Sequence, residues 1–180
     1  MGKCALVLGG SSSGKSMYAQ RLARDLEKTR RHYYLATMEP CDGEDRARIA
    51  RHRRDRAGWG FETLEIPLDV GGAPAEGGVV LLDSVTALVT NALFSPHGPG
   101  QAEAEAFLTR GLEQLIDRAE WVVAVSDHVF SDGISYDLYT ENYRRLLGHL
   151  HQWLAERAVQ VTRLEAGIPI HWKEVASCSC

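Results

Sequence analysis

Gly9-Gly10-Ser11-Ser12-Ser13-Gly14-Lys15-Ser16 decides the fold of this chain. It fits the phosphate-loop pattern G-x-x-x-x-G-K-[ST] with no spacing altered. The apolar run Ala5-Leu6-Val7-Leu8 precedes it and predicts a short buried strand. Met17, Ala19, Leu22, Ala23 and Leu26 follow at helical spacing, so a helix opens at the loop. In that strand–loop–helix setting, Gly9, Gly10, Ser11, Ser12, Ser13 and Gly14 offer backbone N–H groups to phosphate oxygens, and the helix start adds partial positive charge. Lys15 is expected to meet the β- and γ-phosphates of ATP or GTP, and Ser16 a Mg²⁺ ion. A flexible Gly/Ser turn is the plainer alternative, but such a turn has no need of Lys-Ser at this offset.

A chain of 180 residues fits one domain over 1–180, with 44% hydrophobic and 24% charged residues as in ordinary globular proteins. The net charge of −4 argues against a general nucleic-acid binder. No apolar run approaches the ~20 residues of a membrane span. The first strand begins almost at once, which leaves no room for a signal peptide and predicts a cytoplasmic protein. Cys4 and Cys41 are isolated, and Cys178 and Cys180 form a C-x-C pair that alone is weak evidence for metal. Free thiols are expected.

Residues 32–37 predict a second strand and Met38 to Gly43 a loop. Glu44 to Arg56 predicts a charged helix, acidic at its start and basic beyond. Along it Arg48, His52 and Arg56 recur every four residues on one stripe. That stripe fits a solvated basic face, a nucleic-acid patch, or a surface handling a triphosphate, with His52 as acid, base or nucleophile. The acidic whole and the lack of interleaved aromatics disfavour the second, and spacing does not separate the other two.

Trp59 to Pro67 reads as extended, followed by a turn-rich loop through Gly78. Val79-Val80-Leu81-Leu82-Asp83 predicts an apolar strand ending in a carboxylate at the edge where open α/β sheets bind ligands. Asp83 is the expected second magnesium anchor; helix capping by Asp83-Ser84 is compatible with it. Residues 84–95 predict a short helix or irregular passage, and Ala102 to Ala119 an amphipathic helix. Trp121 to Ser126 predicts a strand, and Asp127 to Gly133 a functional loop. A long helix ends near Arg157, its aromatics read as core or subunit interface; His149 and His151 fall on different faces and do not share a metal. Val159 to Leu164 and Ile168 to Trp172 predict a closing hairpin around Gly167. The whole predicts a P-loop NTPase-like α/β fold, a mostly parallel sheet with helices on both faces and a C-terminal hairpin.

The phosphate loop, Tyr34-Leu35-Ala36-Thr37, Arg48-Ile49-Ala50-Arg51-His52, and Leu81-Leu82-Asp83 through Val89-Thr90-Asn91 together resemble one family in order and spacing. It is the bifunctional adenosylcobinamide kinase/adenosylcobinamide-phosphate guanylyltransferase family of cobalamin biosynthesis. The resemblance implies phosphorylation of the aminopropanol hydroxyl of adenosylcobinamide, a corrinoid, by a nucleoside triphosphate. It then implies GMP transfer from GTP through a guanylylated histidine, matched by His52, with Arg48 and Arg56 stabilising phosphate charge. It further implies a homotrimer with sites between subunits. Where the family has Asn-Glu-Val-Gly and then Gly-Ile-Val-Pro, this chain has Asp127-His128-Val129-Phe130 and Gly133-Ile134-Ser135-Tyr136. The rivals are a P-loop small-molecule kinase of other specificity and a nucleotide-gated non-enzymatic paralogue. No Asn-Lys-x-Asp sequence is present, which disfavours a GTPase switch.

Overall fold

The computed structural model describes residues 2–39, 50, 54, 58–130, 134 and 136–174. Its elements are β1 (Lys3–Gly9), α1 (Lys15–Asp25), β2 (His32–Ala36), β3 (Phe61–Glu65), a 3₁₀ turn (Val70–Gly72), β4 (Val79–Asp83), α2 (Val85–Phe94), α3 (Ala104–Arg118), β5 (Trp121–Asp127), α4 (Leu138–Arg157), β6 (Gln160–Glu165) and β7 (Ile168–Glu174). Strand order across the seven-stranded sheet is β3-β2-β4-β5-β1-β6-β7. All neighbours are parallel except β6 and β7, the closing hairpin.

Parallel strands buried on both faces need apolar residues at every position, and β1, β4 and β5 meet that demand. On one face Ala5, Val7, Leu81, Val123 and Val125 pack with Ala19 and Ala23 of α1. On the other, Leu6, Leu8, Val80, Leu82, Val122 and Ala124 join Leu88 of α2, Leu108 and Leu112 of α3, and Leu147, Leu150 and Leu154 of α4. Each such leucine contributes about 2 kcal/mol of transfer free energy. Met17, counted with the apolar spacing of α1, is instead exposed, because the packed face of that helix runs through Ala19 and Ala23. Residues 85–94 are a regular helix, not an irregular passage. Ser84 supplies its N-cap, its hydroxyl accepting from the Ala87 N–H at 3.2 Å.

The topology places the site. The chain leaves β1 through α1 towards β2 on one side, and leaves β5 through α4 towards β6 on the other. Adjacent strands whose connections depart in opposite directions open a crevice at their carboxyl ends, the preferred ligand position in such sheets. Gly9 and Asp127 end these two strands and stand opposite each other in register.

Candidate active site at the carboxyl edge of the sheet

The loop from Gly9 to Ser16 lies over that crevice. A Cβ at Gly9 would stand 2.3 Å from Ser13 Oγ and 3.1 Å from the Leu164 carbonyl, so no larger residue closes the turn here. Gly14 has φ +88°, a conformation only glycine adopts without strain, and it turns the chain directly into α1. That helix start has no capping side chain and no acidic residue in its first turn. Contrast α4, where Asp137 accepts from the Tyr139 and Thr140 N–H groups. The first N–H groups of α1 therefore face outward without a side-chain acceptor, which suits an anion. Ser13 Oγ is buried and makes no hydrogen bond within the protein. The β6–β7 turn braces the loop, with the Gly167 N–H donating to the Ser13 carbonyl at 3.0 Å.

Lys15 Nζ sits 2.7 Å from the Asp127 carboxylate and donates to the Gly10 carbonyl at 3.1 Å. The two side chains are 13% and 35% exposed, which makes this a half-desolvated, charge-assisted contact. Behind it runs a chain of polar groups through the core. The Asp127 N–H donates to Thr86 Oγ1 at 2.8 Å, Thr86 Oγ1 meets Ser126 Oγ at 3.0 Å, and Ser126 Oγ meets His151 Nε2 at 2.7 Å. Burial depresses the His151 imidazole to about 4, with the charge of His128 adding to the effect and Asp127 opposing it. His151 is thus a neutral hydrogen-bonding partner at neutral pH. The His128 ring, beside Arg163 and Glu165, is pulled below its ordinary value first by burial and then by Arg163. Phe130 lies edge-on to both imidazoles, its ring centroid 5.6 Å from each.

Asp83 ends β4, which is separated from β1 by β5. At about 4.8 Å per strand spacing, that puts it roughly 10 Å sideways from the phosphate-loop strand. Its carboxylate accepts from the Tyr34 hydroxyl at 2.6 Å. Thr37 holds the next residue, its Oγ1 accepting from the Ser84 N–H at 2.7 Å. Asn91 reaches back from α2 and donates to the Thr37 and Pro67 carbonyls, both at 2.7 Å. This amide ties together the loops after β2 and β3 and keeps the crevice edge in place. Tyr143 of α4 bonds to Thr90, and burial raises its phenol above the usual range.

Ser16 and Asp83 are hard oxygen donors near one edge, which fits a magnesium ion, while Asp127 is engaged by Lys15. No group of three or more His, Cys, Asp and Glu side chains comes together among the described residues. Such an ion would take its other ligands from phosphate and water, as magnesium at nucleotide sites does.

The structure therefore brings Gly9 to Ser16 together at one end of the crevice, with Asp83 along the same edge. Arg48, His52 and Arg56, with Cys41, Cys178 and Cys180, lie outside the described residues. Cys4 is a free thiol in the core, its pKa raised to about 12 by burial. His149 and His151 do part company as expected: His149 pairs with Glu105 on the surface while His151 is buried. The sequence places Asp127 in a functional loop but does not join it to Lys15, and it gives no role to Ser126, Thr86 or His151. A signal for two of them was present: Asp127 ends an apolar strand just as Asp83 does, and His151 falls four residues after Leu147 and three before Leu154, on the core stripe.

Comparison with known proteins bears on the fold and the family. The ATPase domain of G40P shares the fold, with a TM-score of 0.51 at 10% identity, covering 89% of this chain and 68% of that one. The bifunctional adenosylcobalamin biosynthesis protein CobP of Pseudomonas aeruginosa is 36% identical over 174 residues, 93% of this chain and 96% of that protein. CobU of Escherichia coli, described in the same words, is 31% identical over 186 residues, 93% of this chain and 98% of its own. A family model described as cobinamide kinase / cobinamide phosphate guanyltransferase matches residues 5–172.

Proposed function

Since the chain belongs to the cobinamide kinase / cobinamide phosphate guanyltransferase family, we propose that it carries out both reactions of that description, with adenosylcobinamide as the corrinoid. The first moves the γ-phosphoryl group of ATP or GTP to the aminopropanol hydroxyl, which loses its proton. The second joins GMP from GTP to the new phosphate and releases pyrophosphate. The observation that carries this reading is the uncapped start of α1 behind Gly14, with Lys15 in the crevice between β1 and β5.

Each residue has a task that follows from its place. Backbone N–H groups from Gly10 to Ser16 hold phosphate oxygens without the reorganisation that water would need. Lys15 neutralises charge on the β/γ bridge as the bond there breaks. Ser16 and Asp83 would hold Mg²⁺, which when bound offsets the charge of the phosphates. Tyr34 fixes the Asp83 carboxylate, and Thr37 and Asn91 fix the backbone around it.

For the second reaction, His52 is assigned as the nucleophile. A nitrogen of its neutral imidazole attacks the α-phosphorus of GTP, and the bond to pyrophosphate breaks. The phosphate of the corrinoid then attacks the same phosphorus and frees the histidine. Arg48 and Arg56 stabilise the transferring group. The arrangement is assigned to a homotrimer in the cytoplasm; no helix among the described residues is long and apolar enough to cross a membrane.

Incubation with GTP labelled at the α- or the γ-phosphate, followed by denaturation, tests this reading. Acid-labile, alkali-stable α-label that disappears in His52→Ala is the expected result. Label transferred only from the γ-position to the corrinoid removes the guanylyl half. Absence of both, with tight nucleotide binding, refutes the enzymatic reading.

A further inference from the structure

Lys15 has two claims on it. Its ammonium is already bound at 2.7 Å by Asp127 and at 3.1 Å by the Gly10 carbonyl, although the functional reading gives it to a triphosphate. The Asp127 backbone does not follow Lys15 when that cation moves. Its N–H is anchored to Thr86 Oγ1, and the anchor continues through Ser126 to buried His151. Opposite it in register stands Gly9, so the carboxylate remains beside the loop whichever way Lys15 turns.

We propose that Asp127 is a positioning residue that competes with the nucleotide for Lys15 and thereby makes the site discriminate against triphosphate lacking a divalent cation. Two effects act in the same direction. A bound state that must first break the Lys15–Asp127 contact binds with an affinity reduced by the fraction of open lysine. Once Lys15 has gone to the phosphates, the partly solvated Asp127 carboxylate is left facing a polyanion across a crevice less polar than bulk water, where like charges repel more than they do in water. A divalent cation on the phosphates offsets that repulsion; without one, nothing on the nucleotide does.

This inference rests on the phosphates being seated at Lys15. Its test measures affinity rather than turnover. GTP binding to the full chain is followed by calorimetry in excess EDTA and in excess Mg²⁺, for the native protein, Asp127→Asn and Lys15→Ala. Asparagine keeps the size and removes the charge. Metal-free affinity is expected to rise about 10-fold in Asp127→Asn, equivalent to about 1.4 kcal/mol. Affinity with Mg²⁺ is expected to change by less than about 3-fold, so the ratio between the two conditions collapses. Equal changes in both conditions, or no gain without metal, overturn the inference.

A second pair keeps the test decisive if Asp127→Asn does not fold. Thr86→Val removes the acceptor that anchors Asp127 and is expected to raise metal-free affinity several-fold, while Thr86→Ser restores the native ratio. Identical ratios in all three proteins overturn the inference. A native protein that binds no nucleotide in either condition brings down the functional reading instead. Native binding that is lost in Lys15→Ala, beside an unchanged Asp127→Asn, removes only this inference.

Discussion

Replacing His151 with glutamine should change how the protein's stability depends on pH, and the size of the change follows from where the ring sits. His151 is 8% exposed and bonded to Ser126, and burial takes its pKa from the ordinary 6.5 to about 4. A basic group depressed on folding binds its proton in the unfolded chain at a pH where the folded chain refuses it. Stability therefore rises with pH between about 4 and 6.5 and levels off above. At about 1.4 kcal/mol per pH unit, the full effect is on the order of 3 kcal/mol, of which about 2 kcal/mol has been lost by about pH 5. Urea unfolding of the native protein and His151→Gln between pH 8 and pH 5 reads the difference directly. Both proteins share every other titrating group, so subtraction isolates this one. Glutamine is expected to lower stability at pH 8, where it fits the Ser126 contact less well, and to flatten the acid slope by about 2 kcal/mol. Parallel pH profiles for the two proteins would refute the claim that a buried, neutral imidazole supports the end of β5.

Other sites make further predictions. Lys15→Ala should lower the phosphoryl-transfer rate at least about 100-fold with little change in Tm, since its partners Asp127 and Gly10 O remain partly solvated; steady-state kinetics and a thermal scan check both halves. Tyr34→Phe removes the 2.6 Å bond to Asp83 and should raise the Mg²⁺ concentration needed for half-maximal rate several-fold, measured by metal titration at saturating nucleotide. Asn91→Ala leaves the Thr37 and Pro67 carbonyls without the buried amide and should destabilise the fold by about 2–3 kcal/mol in urea unfolding.

The sheet was legible because parallel strands covered on both faces carry unbroken apolar runs, and Ala5 to Leu8, Val79 to Leu82 and Trp121 to Val125 are such runs. β3 was readable only as extended chain: at the sheet edge, Phe61 to Glu65 is half-buried at most and keeps charged residues. The phosphate loop was legible for a different reason. Its chemistry is backbone chemistry, and backbone chemistry at a tight turn demands glycine at fixed offsets, as at Gly9 and Gly14.

What local sequence does not encode is strand order. Lys15 and Asp127 meet because β5 lies beside β1, and Asp83 stands off by one strand because β5 is inserted between β4 and β1. Thr86 and Ser126 meet across 40 positions, and Asn91 and Thr37 across 54, for the same reason. His151 carried a partial signal in its place on the leucine stripe of α4, but a histidine at a core position does not name its partner. The spacing of Arg48, His52 and Arg56 in the sequence shows the limit of periodicity: one stripe at one spacing serves equally for solvated charge and for phosphate. Resemblance to a family, not spacing, separates those meanings.

A crystal structure of the protein with a non-hydrolysable GTP analogue and Mg²⁺ tests the seat of the triphosphate most directly. The β- and γ-phosphates should lie within hydrogen-bonding distance of the backbone N–H groups from Gly10 to Ser16, with Lys15 turned from Asp127 to the phosphate oxygens. A triphosphate bound elsewhere, with the 2.7 Å contact between Lys15 and Asp127 intact, would contradict the account.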